Sequence, residues 1–167
     1  MTNTSLIQKL MDEAYDKWQD NDWTKQDFRN YISENMSRAH LIAVQVGNLN
    51  YQVENGGFSQ WHDNGYSMDL EDLISYCEEI GTEACMKVKT LLEYVQNAID
   101  YFCIEAEEAI QLLTRNLFDG YAETLRECLW SQKTEQLNRY DQKYYDVNDD
   151  FLSDVERYLA RTQEGGK

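Results

Sequence analysis

No proline occurs anywhere in the 167 residues, and only eight glycines do. Proline ends helices because it lacks the amide donor and its ring clashes with the preceding turn, so a chain without it permits long helices almost everywhere. Five of the glycines are grouped, in Asn55-Gly56-Gly57, Asn64-Gly65 and the C-terminal Gly165-Gly166. The breaks in such a chain are therefore few and placed.

Apolar spacing fills the intervals with helices. Leu6, Ile7, Leu10, Met11, Ala14, Tyr15 and Trp18 recur three and four apart, which predicts a helix over 4–19 with Thr4 or Ser5 as N-cap and Asp20-Asn21-Asp22 as its end. Thr24 with Asp27 reads as a capping box opening a second helix around Phe28, Tyr31 and Ile32. A third runs over 37–51; its β-branched residues leave a strand as the alternative, but its length favours a helix. Asn55-Gly56-Gly57 is the strongest break, followed by a short turn or helix over 58–62. Further helices are expected over 68–80, stopped by Gly81, from Thr82 to about Ile99, and over 104–118, 121–139 and 149–161. Residues 163–167 read as a flexible tail. The expected fold is all-α, a compact single-domain bundle of about seven helices spanning 1–162.

Composition excludes several classes. Apolar residues make up 42% and aromatic ones 13%, too many for a disordered acidic chain. Cys77, Cys85, Cys103 and Cys128 form no Cys-x-x-Cys pair, and the first sixteen residues lack a basic start followed by an apolar core. The expectation is reduced, mostly buried thiols in a cytoplasmic protein. No apolar run reaches the 18 or so residues of a membrane span.

The charge is −16, from 31 acidic and 15 basic side chains. Nucleic acid and anionic membranes are bound by neutralising phosphates with Lys and Arg, so direct binding to either is excluded. Residues 61–110 carry 12 acids and only Lys87 and Lys89, a net −10, whereas 1–60 and 111–167 each carry −3. On the 68–80 helix, 100° steps place Leu70, Leu73, Ile74, Cys77 and Ile80 on one side and Glu71, Asp72, Glu78 and Glu79 on the other. Glu71 stands above Glu78 and Asp72 above Glu79, in two rows. On the 104–118 helix, Ala106, Ala109, Ile110, Leu113 and Leu117 face inward and Glu105, Glu107 and Glu108 outward, relieved only by Arg115. Asp69, Glu71 and Asp72 suit a helix start, but Glu78 and Glu79 crowd a helix end where the dipole favours cations. A local rule broken without visible compensation points to function.

The segment Leu49-Asn50-Tyr51-Gln52-Val53-Glu54-Asn55-Gly56-Gly57-Phe58-Ser59-Gln60-Trp61, followed by Asn64-Gly65, resembles the signature of a bacterial family of acidic, all-helical DNA-mimic proteins. Leu137-Asn138-Arg139-Tyr140-Asp141-Gln142-Lys143-Tyr144-Tyr145 resembles a second element of that family, and the likeness covers about 40–160. The sequence departs from the pattern at Gln52-Val53-Glu54 and at the inserted Arg139-Tyr140. The resemblance implies a helical fold, and an activity in which a dimer occupies the DNA-binding surface of a transcription repressor. Asn55, Gly56, Gly57, Phe58, Gln60 and Trp61 read as structural: the glycines allow the turn, Phe58 and Trp61 fill the core, and Gln60 bonds to backbone.

The functional expectation is a non-enzymatic binder whose partner is a DNA-binding or other nucleic-acid-binding protein: a repressor, nuclease or defence complex. Glu71, Asp72, Glu78, Glu79, Glu105, Glu107 and Glu108 would stand in for phosphates, flanked by Asp63, Asp69, Glu83 and Asp100. No catalytic residue, cofactor or metal is assigned. An enzyme is the alternative, with His62 and Asp63 as base or ligand pair, or Asp69 and Asp72 as ligands for a divalent cation. Only His40 and His62 are histidines, and no phosphate loop, His-Glu-x-x-His or Gly-x-Ser-x-Gly occurs. A structural or immunity module is the third reading, with Tyr140, Tyr144, Tyr145 and Tyr158 as a homodimer face.

Overall fold

The computed structural model describes residues 5–19, 22–114 and 119–164, all helix and connecting turn, with no strand among them. Ser5 Oγ accepts from Gln8 N at 3.1 Å and opens α1, Leu6–Trp18. Thr24 and Asp27 form the reciprocal capping box of α2, Lys25–Asn35. α3 is Arg38–Asp63, and a 3-10 turn, Tyr66–Asp69, leads into α4, Leu70–Ile80. Gly81, at φ 68°, ends α4, and Thr82 caps α5, Glu83–Asp100. A π-turn, Tyr101–Glu105, joins α5 to α6, Ala106–Thr114. α7 (Asp119–Asn138), α8 (Asp141–Tyr145) and α9 (Asn148–Glu164) complete the bundle.

α3 is the axis of the compact all-α fold, packed against α1, α2, α4, α7, α8 and α9. Its Leu49, Val53, Phe58 and Trp61 are fully buried among Leu73, Leu92, Tyr144, Phe151 and Leu159. Each such side chain contributes about 1.5–3 kcal/mol by leaving water. A smaller cluster of Ala14, Phe28, Ile32 and Val44 seals α1 and α2 onto α3, with Trp18 edge-on to Phe28 at 4.3 Å.

The chain departs from the sequence expectations in four places. First, the third helix does not end at Tyr51 but runs to Asp63, interrupted only where Gly56 and Gly57 leave helical geometry. Gly57 takes φ 75°, ψ −178°, a region open essentially to glycine alone. The helix restarts at Phe58 because distant side chains supply its caps: Phe58 N donates to Asp141 Oδ1 at 2.9 Å, and Ser59 N to Asn138 Oδ1 at 3.3 Å. The two segments of the resemblance thus meet. Gln60 bonds not to backbone but to a side chain, its Nε2 donating to Gln52 Oε1 at 3.0 Å.

Second, α5 and α6 are not separated; no glycine or proline lies between Thr82 and Thr114 to break them, and the π-turn carries the helical backbone from one into the other. Third, Ala109 is exposed rather than inward, since α6 packs mainly against α7 and the π-turn and, among its described residues, buries Ile110. Fourth, Cys77 and Cys85 are buried, but Cys103 and Cys128 are exposed. Thr4, Asp20, Asn21, Arg115, Leu117, the side chain of Leu113 and the last three residues of the expected tail lie outside the described residues. Among the described residues no helix is long and apolar enough to cross a membrane.

Candidate functional site

The two carboxylate rows of α4 have different surroundings. Asp72 and Glu79 lean onto neighbouring elements. Arg29 of α2 pairs with Asp72, donates to Met68 O at 3.3 Å and sets its Nε 3.5 Å from Asp69 Oδ1. Gln45, almost wholly buried on α3, donates from Nε2 to Asp69 Oδ1 at 2.7 Å and to Asp72 Oδ2 at 2.9 Å, while its Oε1 accepts from Tyr76 Oη at 2.7 Å. Every polar group of this inner network has a partner, as a buried one requires. Asp69 is itself buried, and that burial raises its carboxyl pKa against the opposing pull of Gln45 and Arg29. It is an interior anchor, not the flanking surface charge expected of it, and the Asp69/Asp72 pair is occupied by guanidinium and amide groups.

Glu79 is held from two sides, by Arg38 at the start of α3 and by Tyr158 Oη of α9. Those hydrogen bonds pull its carboxyl down to about 2. Glu78 accepts Lys89 Nζ at 3.0 Å, and Lys89 also reaches Glu93 at 3.2 Å. The crowding of acids at the end of α4 therefore has its compensation, supplied by Arg38 and Lys89 from other helices. Read along one helix it looked unrelieved. Arg29, Arg38, Lys89 and Gln45 carry no local signal of this role; only their meeting in the fold reveals it.

The remaining carboxylates divide the same way. Asp63 accepts Lys133 Nζ at 2.6 Å, and that lysine is buried beneath the Trp130 ring at 3.7 Å. Glu83 pairs with Lys87 one turn on at 2.7 Å, Glu107 with Arg126 of α7 at 3.1 Å, and Asp100 accepts from Gln96 at 2.7 Å. Glu71, Glu105 and Glu108 are exposed with no ion-pair partner among the described residues. Of the seven residues expected to stand for phosphates, Glu71, Glu105 and Glu108 face solvent with no ion-pair partner among the described residues; Glu78 and Glu79 are exposed but paired with Lys89 and Arg38, and Asp72 and Glu107 are half-buried against Arg29 and Arg126.

His62, the residue on which an enzymatic reading leaned, lies between Ser67 Oγ at 2.9 Å from Nδ1 and Cys103 Sγ at 3.4 Å from Nε2. Burial first and then Lys133 push its pKa below the usual histidine value, against the opposing pull of Asp63. No group of three or more His, Cys, Asp and Glu arranged for a metal occurs among the described residues. The C-terminal tyrosines are used within the chain: Tyr144 is buried and donates to Asn50 Oδ1 at 3.1 Å, and Tyr145 donates to Val53 O at 2.8 Å. Tyr140 stacks on Tyr94 at 5.9 Å, and Tyr158 holds Glu79.

No curated protein and no solved structure matches the chain. A family model does: the one described as DMP19-like protein, over residues 34–162. That span takes in α3, α4 and the carboxylates of α4 and α6, well over half of the chain, and the protein therefore belongs to the DMP19-like family.

Proposed function

We propose that the protein is a non-enzymatic DNA mimic that occupies the basic nucleic-acid-binding surface of a protein partner and blocks it. The observation that carries this reading is the outer row of α4. Glu71 and Glu78 are exposed, Glu78 while sharing Lys89 with Glu93, and are seven residues apart, which sets them about 10.5 Å apart along the axis. Three base-pair steps of one DNA strand rise about 10.2 Å. Membership of the DMP19-like family and the excess charge of −10 within residues 61–110 support the same reading.

The arginine-held inner row has a part in it. Asp72 and Glu79 tie α4 to α2, α3 and α9, so the outer carboxylates sit on a helix fixed before any partner arrives. A fixed array loses less entropy on binding than a flexible acidic tail would. Glu105 and Glu108, with no ion-pair partner among the described residues, add charge around the start of α6, and the long-range field speeds association with a cationic surface.

The test is affinity capture from the protein's own cell lysate, eluted with double-stranded DNA. The wild-type chain is expected to retain nucleic-acid-binding proteins that duplex DNA releases. The Glu71→Lys/Glu78→Lys variant, with an unchanged circular dichroism spectrum, is expected to retain them at least about tenfold less, as loss of steering and of two charge contacts implies. Capture indifferent to this reversal, or the absence of nucleic-acid-binding proteins from the eluate, would overturn the proposal.

A further inference from the structure

A cleft of about 830 Å³ opens between α1, the middle of α3 and the start of α9, away from the outer face of α4. Its volume falls in the range of small-ligand sites. Asn48 and Gln52, one turn apart on α3, line it, and both are more than nine-tenths buried. Asn48 Oδ1 accepts from Tyr15 Oη at 2.9 Å; Gln52 Oε1 accepts from Gln60 Nε2 at 3.0 Å and Asn64 Nδ2 at 2.8 Å. Two donors converging on Gln52 Oε1 fix which end of that amide remains.

Both amide nitrogens are thus left without an acceptor among the described residues. They are not sealed in: Trp61 Nε1 is the one sealed side-chain polar atom lacking a partner there. Donors that open on a cleft are free to take water or an acceptor carried by a ligand.

The rim has the opposite character. Glu54, Asp149 and Glu156 line the cleft, and no lysine or arginine does among the described residues. Glu54 accepts from Asn148 Nδ2 at 3.1 Å and Glu156 from Ile7 N at 3.3 Å, so two of the three carboxylates are positioned but not neutralised. Tyr15 and Tyr51 add aromatic wall, which favours a cation further, while the Tyr66 ring beside them already carries Lys25 Nζ at 4.9 Å from its centre. A hard metal ion suits the site poorly, because it wants oxygen ligands on all sides and would meet two N–H donors on the floor.

We propose that this cleft binds an organic cation, guanidinium or alkylammonium, that carries a hydrogen-bond acceptor such as a carbonyl. The cation sits among Glu54, Asp149 and Glu156, and the acceptor takes the amide donors of Asn48 and Gln52. The same chemistry is available in a free amine metabolite and in a basic residue of a peptide. None of these residues belongs to the α4 face, so the site stands or falls apart from DNA mimicry.

The experiment is a titration of the full-length ¹⁵N-labelled protein, following the side-chain NH₂ resonances of Asn48 and Gln52. The probes are N-acetyl-arginine methylamide, its neutral counterpart N-acetyl-norleucine methylamide, N-acetylputrescine, a free alkylammonium that carries a carbonyl, and magnesium chloride. The arginine compound or N-acetylputrescine is expected to shift both resonances saturably, and the tighter of the two identifies the source as peptide or free metabolite. In Glu54→Gln/Glu156→Gln, which keeps both acceptor oxygens, the affinity is expected to fall roughly fivefold to tenfold. No saturable shift with either cation up to about 10 mM, the weak limit of specific binding, overturns the proposal. So does an equal response to the norleucine compound or to magnesium.

Discussion

Gly57 and Gly65 both have positive φ, yet replacing them carries different costs. Gly65, at φ 80° and ψ 15°, is an ordinary left-handed turn residue with open space where a side chain would begin. Gly65→Ala is expected to destabilise by about 1 kcal/mol. At Gly57 a Cβ would stand 2.7 Å from Asn138 Oδ1 and would overlap the Asp141 carboxylate, the two groups that cap the restarted helix. Gly57→Ala combines strain with loss of caps and is expected to cost about 2–4 kcal/mol. Urea unfolding of the two variants side by side checks the ranking. Asp141→Ala is expected to cost about 1–2 kcal/mol in the same measurement, and Asp141→Asn less, because an amide oxygen still accepts from Phe58 N. The Asn-Gly-Gly segment was legible as a break from composition alone. Why the second glycine must be glycine was not, because the colliding atoms lie some eighty residues further on.

At the scale of elements, α4 is a clamped helix, and the clamp titrates. Glu79 has an ordinary carboxyl value near 4.5 in the unfolded chain and one near 2 when folded. A depressed folded value gives stability that is complete above about pH 4.5 and is lost as pH falls toward 2. Glu79→Gln is therefore expected to lower the melting temperature at pH 7, by an amount equivalent to about 1 kcal/mol or less since the pair is partly exposed. The gap between variant and wild type is expected to narrow as pH drops below 4.5. Calorimetry across pH 2–7 measures it; a gap that does not change with pH would contradict the ion pair. The same clamp marks the boundary of what one helix discloses. Caps such as Thr24 with Asp27, Thr82 and Gly81 act within four residues and were readable. The partners of Asp72, Glu78 and Glu79 come from α2, α5, α3 and α9, and a helical wheel drawn for α4 alone leaves those acids unpaired.

For the molecule as a whole, the charge of −16 sets a repulsion that the packed core must overcome. Much of it screens: the Debye length shrinks from about 30 Å at 0.01 M salt to about 3 Å at 1 M. Raising sodium chloride across that range is expected to increase the melting temperature by several degrees in a fluorimetric scan, even though it weakens individual surface pairs. A helical bundle of this kind was legible from periodicity and the missing prolines, since helices such as α1 and α4 carry their apolar residues at helical spacing whichever neighbour they meet, while α3, the axis, was legible only through its length. The joining of its lower half to α7 and α8 was not. That joining sets a clock on synthesis. The cap of Phe58 lies 83 residues downstream, so at about 5–20 residues per second a ribosome needs roughly 4–17 s to deliver it. Until then Phe58 and Trp61, two of the largest apolar side chains of the future core, hang on an unfinished turn of the emerging chain. This is the interval in which a holding chaperone has most to gain.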